Sequence, residues 1–339
     1  MRVLLLQLDG KNPNLALMKI SAHHKRLGHE VTFQHVGNPR LIEPGLWDNF
    51  DRVYASLIFQ ATRPLALRLL EVYPDAIIGG SGWDLQRRLP ELGITTLDQD
   101  YSIYPRYMNS IGYTQRGCRF NCRSYCLVPI AEGRPSKELS VWKIYRGEPY
   151  PRNVVLLDND FFWNERSWRE EITAIREGSF RVCFTQGINA RVLNDETAEA
   201  VASVPYYDSQ FKRKRIYTAW DNQRDEERLF KGLEALVRYG VKPDEIMVYM
   251  LIGHWPAETA ADRLYRQSRL RKFGARPYPM PFVRTPELVG FQRWVIGAYD
   301  KRVSWQEWAA AGYRPEKLRR VDSLPLFGEP QERGVDPEE

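Results

Sequence analysis

At 339 residues, with 43% hydrophobic and 27% charged side chains, the chain has room for two domains and an ordinary buried core. No apolar run approaches the ~20 residues of a membrane helix, and nothing at the N-terminus reads as a signal peptide, so no membrane and a cytoplasmic, reducing setting are expected. The net charge of +6 and the pI near 9.0 admit nucleic acid as a partner. Only Lys212-Arg213-Lys214-Arg215 forms a tight basic run, however, and it reads first as a solvated loop.

Residues 1–8 are a short apolar run closed by Asp9-Gly10, the pattern of a strand buried on both faces. Pro13 opens a helix that runs to about Arg26 and stops at Gly28. Further strands are expected over Glu30–Val36, Val53–Phe59 and Ala76–Gly80, with helical stretches between them. This alternation predicts a small doubly wound, flavodoxin-like α/β domain over residues 1–98. A Tyr-rich stretch over residues 99–108 reads as the link to a second domain, and Ile111–Thr114 as that domain's first strand.

The segment that follows, Gly117-Cys118-Arg119-Phe120-Asn121-Cys122-Arg123-Ser124-Tyr125-Cys126, holds three of the four cysteines. Its neighbours are too polar for a buried helical face, and a disulfide would leave one thiol over. No Cys-x2-Cys or His-x3-His supplies a fourth zinc ligand, so three thiolates suit an iron–sulfur cluster with one open iron. A regular helix would spread Cys118 and Cys126 by about 12 Å, so the loop must coil for the thiols to share one cluster. The remaining cysteine, Cys183, lies in the strand Arg181–Thr185 and is expected to be a core thiol.

Strand–helix units then repeat to residue 285. Strands are expected at Val154–Leu157, Arg181–Thr185, Arg215–Ala219, Glu245–Ile252 and Ala275–Pro281. The helices between them are Asn164–Arg176, Asp195–Ala202, Asp225–Tyr239 and Ala257–Lys272. Such repetition predicts a partial TIM-type (β/α)6 barrel over residues 99–285. Polar clusters follow the strands, where barrel loops gather ligands: Asp158-Asn159-Asp160, Gln186 to Arg191, Trp220-Asp221 and Gly253-His254-Trp255. His254, Trp255, Trp220 and Asp221 are expected to line a substrate pocket. Residues 286–327 read as a helical cap, with a helix over Pro286–Tyr299 and a segment bearing Trp305 and Trp308; residues 328–339 read as a disordered tail.

The cysteine loop and the Leu127-Val128-Pro129 after it resemble the cluster loop of the radical S-adenosylmethionine (SAM) family, with one residue more than the family's usual Cys-x3-Cys-x2-Cys. The resemblance implies a 4Fe–4S cluster on Cys118, Cys122 and Cys126, SAM on the open iron, and reductive cleavage of SAM to a 5′-deoxyadenosyl radical. It further implies that Asp158, Asn159 and Asp160, in place of a Gly-Gly-Glu motif, receive the SAM amino group. By the same resemblance Gln186, Asn189 and Arg191 contact its ribose and carboxylate, and Tyr125, Ile252 and Gly253 meet its adenine. Asp158, Asp160 and His254 are the expected catalytic side chains, and a flavodoxin- or ferredoxin-like protein the expected electron donor. The N-terminal domain resembles the cobalamin-binding-like domain of one group of the family, but Lys11 stands where a ligating histidine would, which disfavours cobalamin. Residues 1–117 hold no cysteine for the second cluster of methylthiotransferases. The substrate is not legible, and the alternative expectation is an iron–sulfur or zinc-bearing binding module, with nucleic acid as one partner, that never turns SAM over.

Overall fold

The structure is a computed structural model, and it describes residues 1–37, 42 and 50–315. The expected tail, and the expected cap beyond residue 315, lie outside the described residues. The chain is mixed α/β, and its sheets are mostly parallel. Among the described residues no helix is long and apolar enough to cross a membrane.

The first unit contains β1 (Arg2–Gln7), α1 (Leu15–Arg26), β2 (Glu30–His35), β3 (Arg52–Ser56), α2 (Arg63–Val72) and β4 (Ile77–Gly79). All pairings are parallel in the order β2-β1-β3-β4, with Val3 opposite Val31 and Leu5 opposite Tyr54. Alternate residues of β1 feed two cores. Leu4 and Leu6 pack with Leu65 and Leu69 of α2, while Val3 and Leu5 pack with Leu17 and Met18 of α1. Helices on both faces explain why β1 reads as an unbroken apolar run. The helix begins two residues later than its proline suggests, because Asn14 is the true N-cap and its side chain accepts from the Ala16 and Leu17 amides.

His24 is buried on α1. Its Nδ1 lies 2.9 Å from His29 Nδ1 and its Nε2 lies 3.1 Å from the Tyr54 hydroxyl. Burial, aided by the charges of His23, His29, Arg52 and the N-terminus, pulls its pKa down to about 4. The unfolded chain therefore takes up this proton first, near pH 6.5. The stability His24 contributes is complete above that pH and is lost as the pH falls towards 4. Urea titrations at pH 7 and pH 4.5 should show the gap between wild type and His24→Gln narrowing in acid. A pH-independent gap would contradict this assignment.

The second unit begins with β5 (Ser110–Gly112), β6 (Gln115–Arg116), α3 (Val128–Ala131), β7 (Ser136–Lys137) and α4 (Val141–Ile144). It continues through β8 (Asn153–Leu156), α5 (Glu165–Glu177), β9 (Arg181–Phe184), α6 (Asp195–Ala202), β10 (Ile216–Ala219) and α7 (Glu226–Arg238). It closes with β11 (Ile246–Ile252), α8 (Ala260–Phe273), β12 (Arg276–Pro281), α9 (Pro286–Ile296) and α10 (Trp305–Ala310). Strands β5-β8-β9 form one parallel sheet and β10-β11-β12 another. The Ile188 amide, just past β9, donates to Tyr217 O of β10 at 2.7 Å and bridges the seam. One face of these strands, with Val154, Leu156, Val182 and Phe184, packs on the helices. The opposite face, with Ile111, Val155 and Cys183, joins Tyr101 and Ile103 of the linker and Val3, Leu5 and Tyr54 of the first unit in a shared core.

Other expected boundaries shift too: the strand expected over Val53–Phe59 is Arg52–Ser56, and three further shifts have a local cause. Ile111–Thr114 is strand only to Gly112, because Thr114 turns to meet Asp158. The helix expected from Ala257 starts at Ala260 behind a capping box of Thr259 and Asp262. The helix expected to reach Tyr299 ends at Ile296, capped by Gly297.

Candidate functional site

The cysteine loop leaves the sheet through Gly117, whose φ of +76° places it in the left-handed region. A Cβ there would stand 2.4 Å from Arg134 O, so only glycine fits. The loop then coils. The Cys118 amide donates to Gly133 O at 3.2 Å, and the Cys126 amide closes a single turn on Cys122 O at 2.8 Å. Cys118, Cys122 and Cys126 are partly exposed and unpaired. Burial pushes the Cys118 thiol up to about 11 and raises Cys126 as well, and negative charge on neighbouring cysteines adds to both. Among the described residues, no three His, Cys, Asp or Glu side chains are grouped closely enough to hold a metal ion as they stand. The donor set fits a cluster in number and softness.

Asp158, Asn159 and Asp160 follow β8 and grip this loop and its flanks at three points. Asp158 is 4% exposed, and its carboxylate accepts from the Thr114 amide at 2.8 Å and from the Thr114 hydroxyl. Burial raises its pKa to about 7. The Asn159 side-chain amide donates to Glu132 at 2.7 Å; Glu132 also accepts from the Gly117 amide at 3.0 Å and from Arg116 at 2.9 Å. Asp160 takes a bidentate pair of bonds from Arg119, at 2.9 and 3.0 Å, and its own amide donates to Gln115 at 3.0 Å. Asp160 thus engages the cysteine loop itself, while Asp158 and Asn159 hold the residues that flank it, Thr114 and Glu132. Sequence reasoning missed Gln115, Arg119 and Glu132, its partners in that grip. The only available signal was a Gln and two charges within a loop that has no periodicity.

The ends of β9 and β11 meet the same loop, and the end of β10 is tied to that of β11. Arg191 lies over the Phe120 ring at 5.2 Å, bonds Asn189 at 3.0 Å and pairs with Asp225 at 2.6 Å. Gln186 is exposed beside them. Asp221 is held above the usual carboxylate range by burial, and its carbonyl accepts from the Trp255 indole at 2.7 Å. Tyr125 packs edge-on against His254 at 5.3 Å and Trp255 at 5.9 Å, and His254 in turn meets Phe282 at 4.5 Å. His254 Nδ1 is buried with no hydrogen-bond partner among the described residues. Ile252 is fully buried, and the Gly253 amide donates to Glu258. Trp220 departs from expectation: it is completely buried in the helix-side core against Phe230.

No family model matches the chain, and no curated protein matches it.

Cys183 is 0% exposed, and burial raises its pKa to about 12. A thiol reagent should therefore modify the three loop cysteines of the native protein, faster as the pH rises, and reach the fourth only in denaturant. Four equally reactive thiols in the native state would contradict the packing described.

Proposed function

We propose that the chain is a radical SAM enzyme, built as a flavodoxin-like domain followed by a partial (β/α)6 barrel. The observation that carries this reading is the convergence of three strand ends on one tri-cysteine loop, through Asp160 on Arg119, Arg191 on Phe120, and His254 and Trp255 on Tyr125. The strand order β2-β1-β3-β4 and six further parallel strands, most of them followed by a helix, support the finer architecture.

Cys118, Cys122 and Cys126 would hold the 4Fe–4S cluster. When bound, the cluster with SAM would supply reductive sulfonium cleavage and hydrogen-atom abstraction, with the electron drawn from a flavodoxin- or ferredoxin-like donor. The chain's own residues would position that chemistry. In this reading Asp158 and Asp160 are not free to take the SAM amino group; they clamp the loop so that the three sulfurs return to the same place. Arg191, whose Nη1 and Nε are held by Asp225 and Asn189, would meet a carboxylate beside Gln186 with what remains of its planar fork. His254 keeps a free ring nitrogen for a ligand inside an otherwise apolar cage, while Tyr125 and the backbone of Ile252 and Gly253 wall the site from water. The engaged Asp158–Asp160 motif is also what favours the second reading, a cluster-bearing binding module without turnover.

Anaerobic reconstitution with iron and sulfide, then addition of SAM and dithionite, separates the two readings. Formation of 5′-deoxyadenosine that depends on all three cysteines is expected. A stable cluster that leaves SAM intact would sink the enzymatic reading.

A further inference from the structure

The strand ends of the two units meet in a face where aromatic side chains and arginines interleave. After β3, Phe59 is 57% exposed, and Gly82 lies so close that a Cβ would stand 2.7 Å from the Phe59 carbonyl carbon. Arg63 lies over the neighbouring Trp83 ring at 5.3 Å. From the same edge Arg88 donates to the Ala131 carbonyl, which ties the first unit to the helix that follows the cysteine loop. That loop leads through Tyr125 and His254 to Phe282, which is 49% exposed and stands two residues before Arg284. These contacts, joined along the chain by residues 83–88 and 125–131, lead from the end of β3 to the end of β12.

Charge on this face is sorted. Its carboxylates are consumed internally: Asp9 by the Ile58 and Phe59 amides and Thr62, Glu132 by Arg116 and Gly117, Asp160 by Arg119, and Glu258 by Arg266. Arg63, Arg123, Arg134 and Arg284 are all exposed, and among the described residues no carboxylate pairs with any of them. What remains is uncompensated positive charge set between flat apolar rings.

We propose that this face binds a single-stranded nucleic acid, with the arginines on phosphates and the exposed rings beneath unpaired bases. The proposal rests on the radical SAM reading only in taking the bound strand as the substrate class of that site. Planar guanidinia alternating with planar rings suit a polymer that alternates anionic phosphates with flat bases. A duplex offers no free base face to Phe59 and Phe282. An acidic peptide would satisfy the arginines and leave both rings idle.

The test uses the full chain without reconstituted iron, so binding is read apart from any SAM chemistry. Fluorescence anisotropy follows a labelled uridine 20-mer, its thymidine counterpart and a duplex of the same length across a salt series. The expected slope of log K against log salt is about −0.7 for each phosphate neutralised on a single strand, hence about −3 for four arginines. Alanine at Arg63, Arg123, Arg134 or Arg284 should each remove about 0.7 of that slope. Phe59→Ala and Phe282→Ala should each weaken binding about 5- to 150-fold, with the salt slope kept, as loss of one stacked base requires. Alanine at Lys212, Arg213 and Lys214 should change little. Absence of strand binding overturns the proposal. So does tighter binding of the duplex, equal competition by polyglutamate, or a loss confined to the Lys212–Lys214 variant. If strand binding fails while 5′-deoxyadenosine still forms, the substrate class falls and the enzymatic reading stands; the reverse outcome spares the nucleic-acid face alone.

Discussion

Alanine at any one of Cys118, Cys122 and Cys126 is expected to strip the reconstituted protein of its iron and its visible absorbance, whereas Cys183→Ala is expected to keep both. Among the described residues no other group of His, Cys, Asp or Glu side chains is placed to hold a metal. The carboxylates nearest the loop are already committed, Asp160 to Arg119 and Glu132 to Arg116 and Gly117. Two thiolates cannot retain a cluster that needs three or more protein sulfurs. Cys183 belongs to the core shared by the two units, so its loss should appear in stability and not in iron content. Iron assay and absorbance after desalting check both halves. Full iron in a single-alanine variant of the loop would show that the metal sits elsewhere.

The second large effect concerns Arg266 on α8. Its guanidinium is 2% exposed; it donates to the carbonyls of Trp220 and Leu251, each at 3.0 Å, and pairs with Glu258. One side chain thus ties the ends of β10 and β11 to the loop that carries His254. Arg266→Met would leave the Glu258 carboxylate buried beside Arg263 alone, at 3.7 Å, and strand two carbonyls. Removing one partner of a buried pair typically costs about 3–5 kcal/mol. Urea unfolding should show a loss of that order, with partial recovery in the Arg266→Met, Glu258→Gln double variant, where no unpaired charge remains. A loss below about 1 kcal/mol would place the pair among the weak surface bridges. Since the Gly253 amide also donates to Glu258, the single variant should loosen His254 and lower any SAM cleavage as well.

Much of this architecture was legible in the chain. Strands β1, β8, β9 and β11 are apolar runs ended by polar clusters, and helices α5 and α6 begin at Asn caps that the sequence displays openly. Helix α6 falls on Asp195–Ala202 as expected. The β6–β7 pair was not legible, because two-residue strands carry no period and their partners lie twenty residues apart. Trp220 misled for a related reason: its position after a strand suggested the mouth, but strand alternation continues one residue past Ala219 and turns the indole towards the helices. For the site, residue types and spacing pointed to the cysteines, and strand order brought the other clusters to them. The division of labour within Asp158-Asn159-Asp160 could not be read, since it depends on Thr114, Glu132 and Arg119 folding back across more than twenty-five residues.

Electron paramagnetic resonance of the dithionite-reduced, iron-reconstituted protein, recorded with and without SAM, tests the central claim most directly. The account predicts the signal of one reduced 4Fe–4S centre per chain, held by Cys118, Cys122 and Cys126, whose g-values move when SAM joins the open iron. A signal that SAM leaves unchanged, or a protein whose three loop cysteines hold zinc and give no signal, would contradict it.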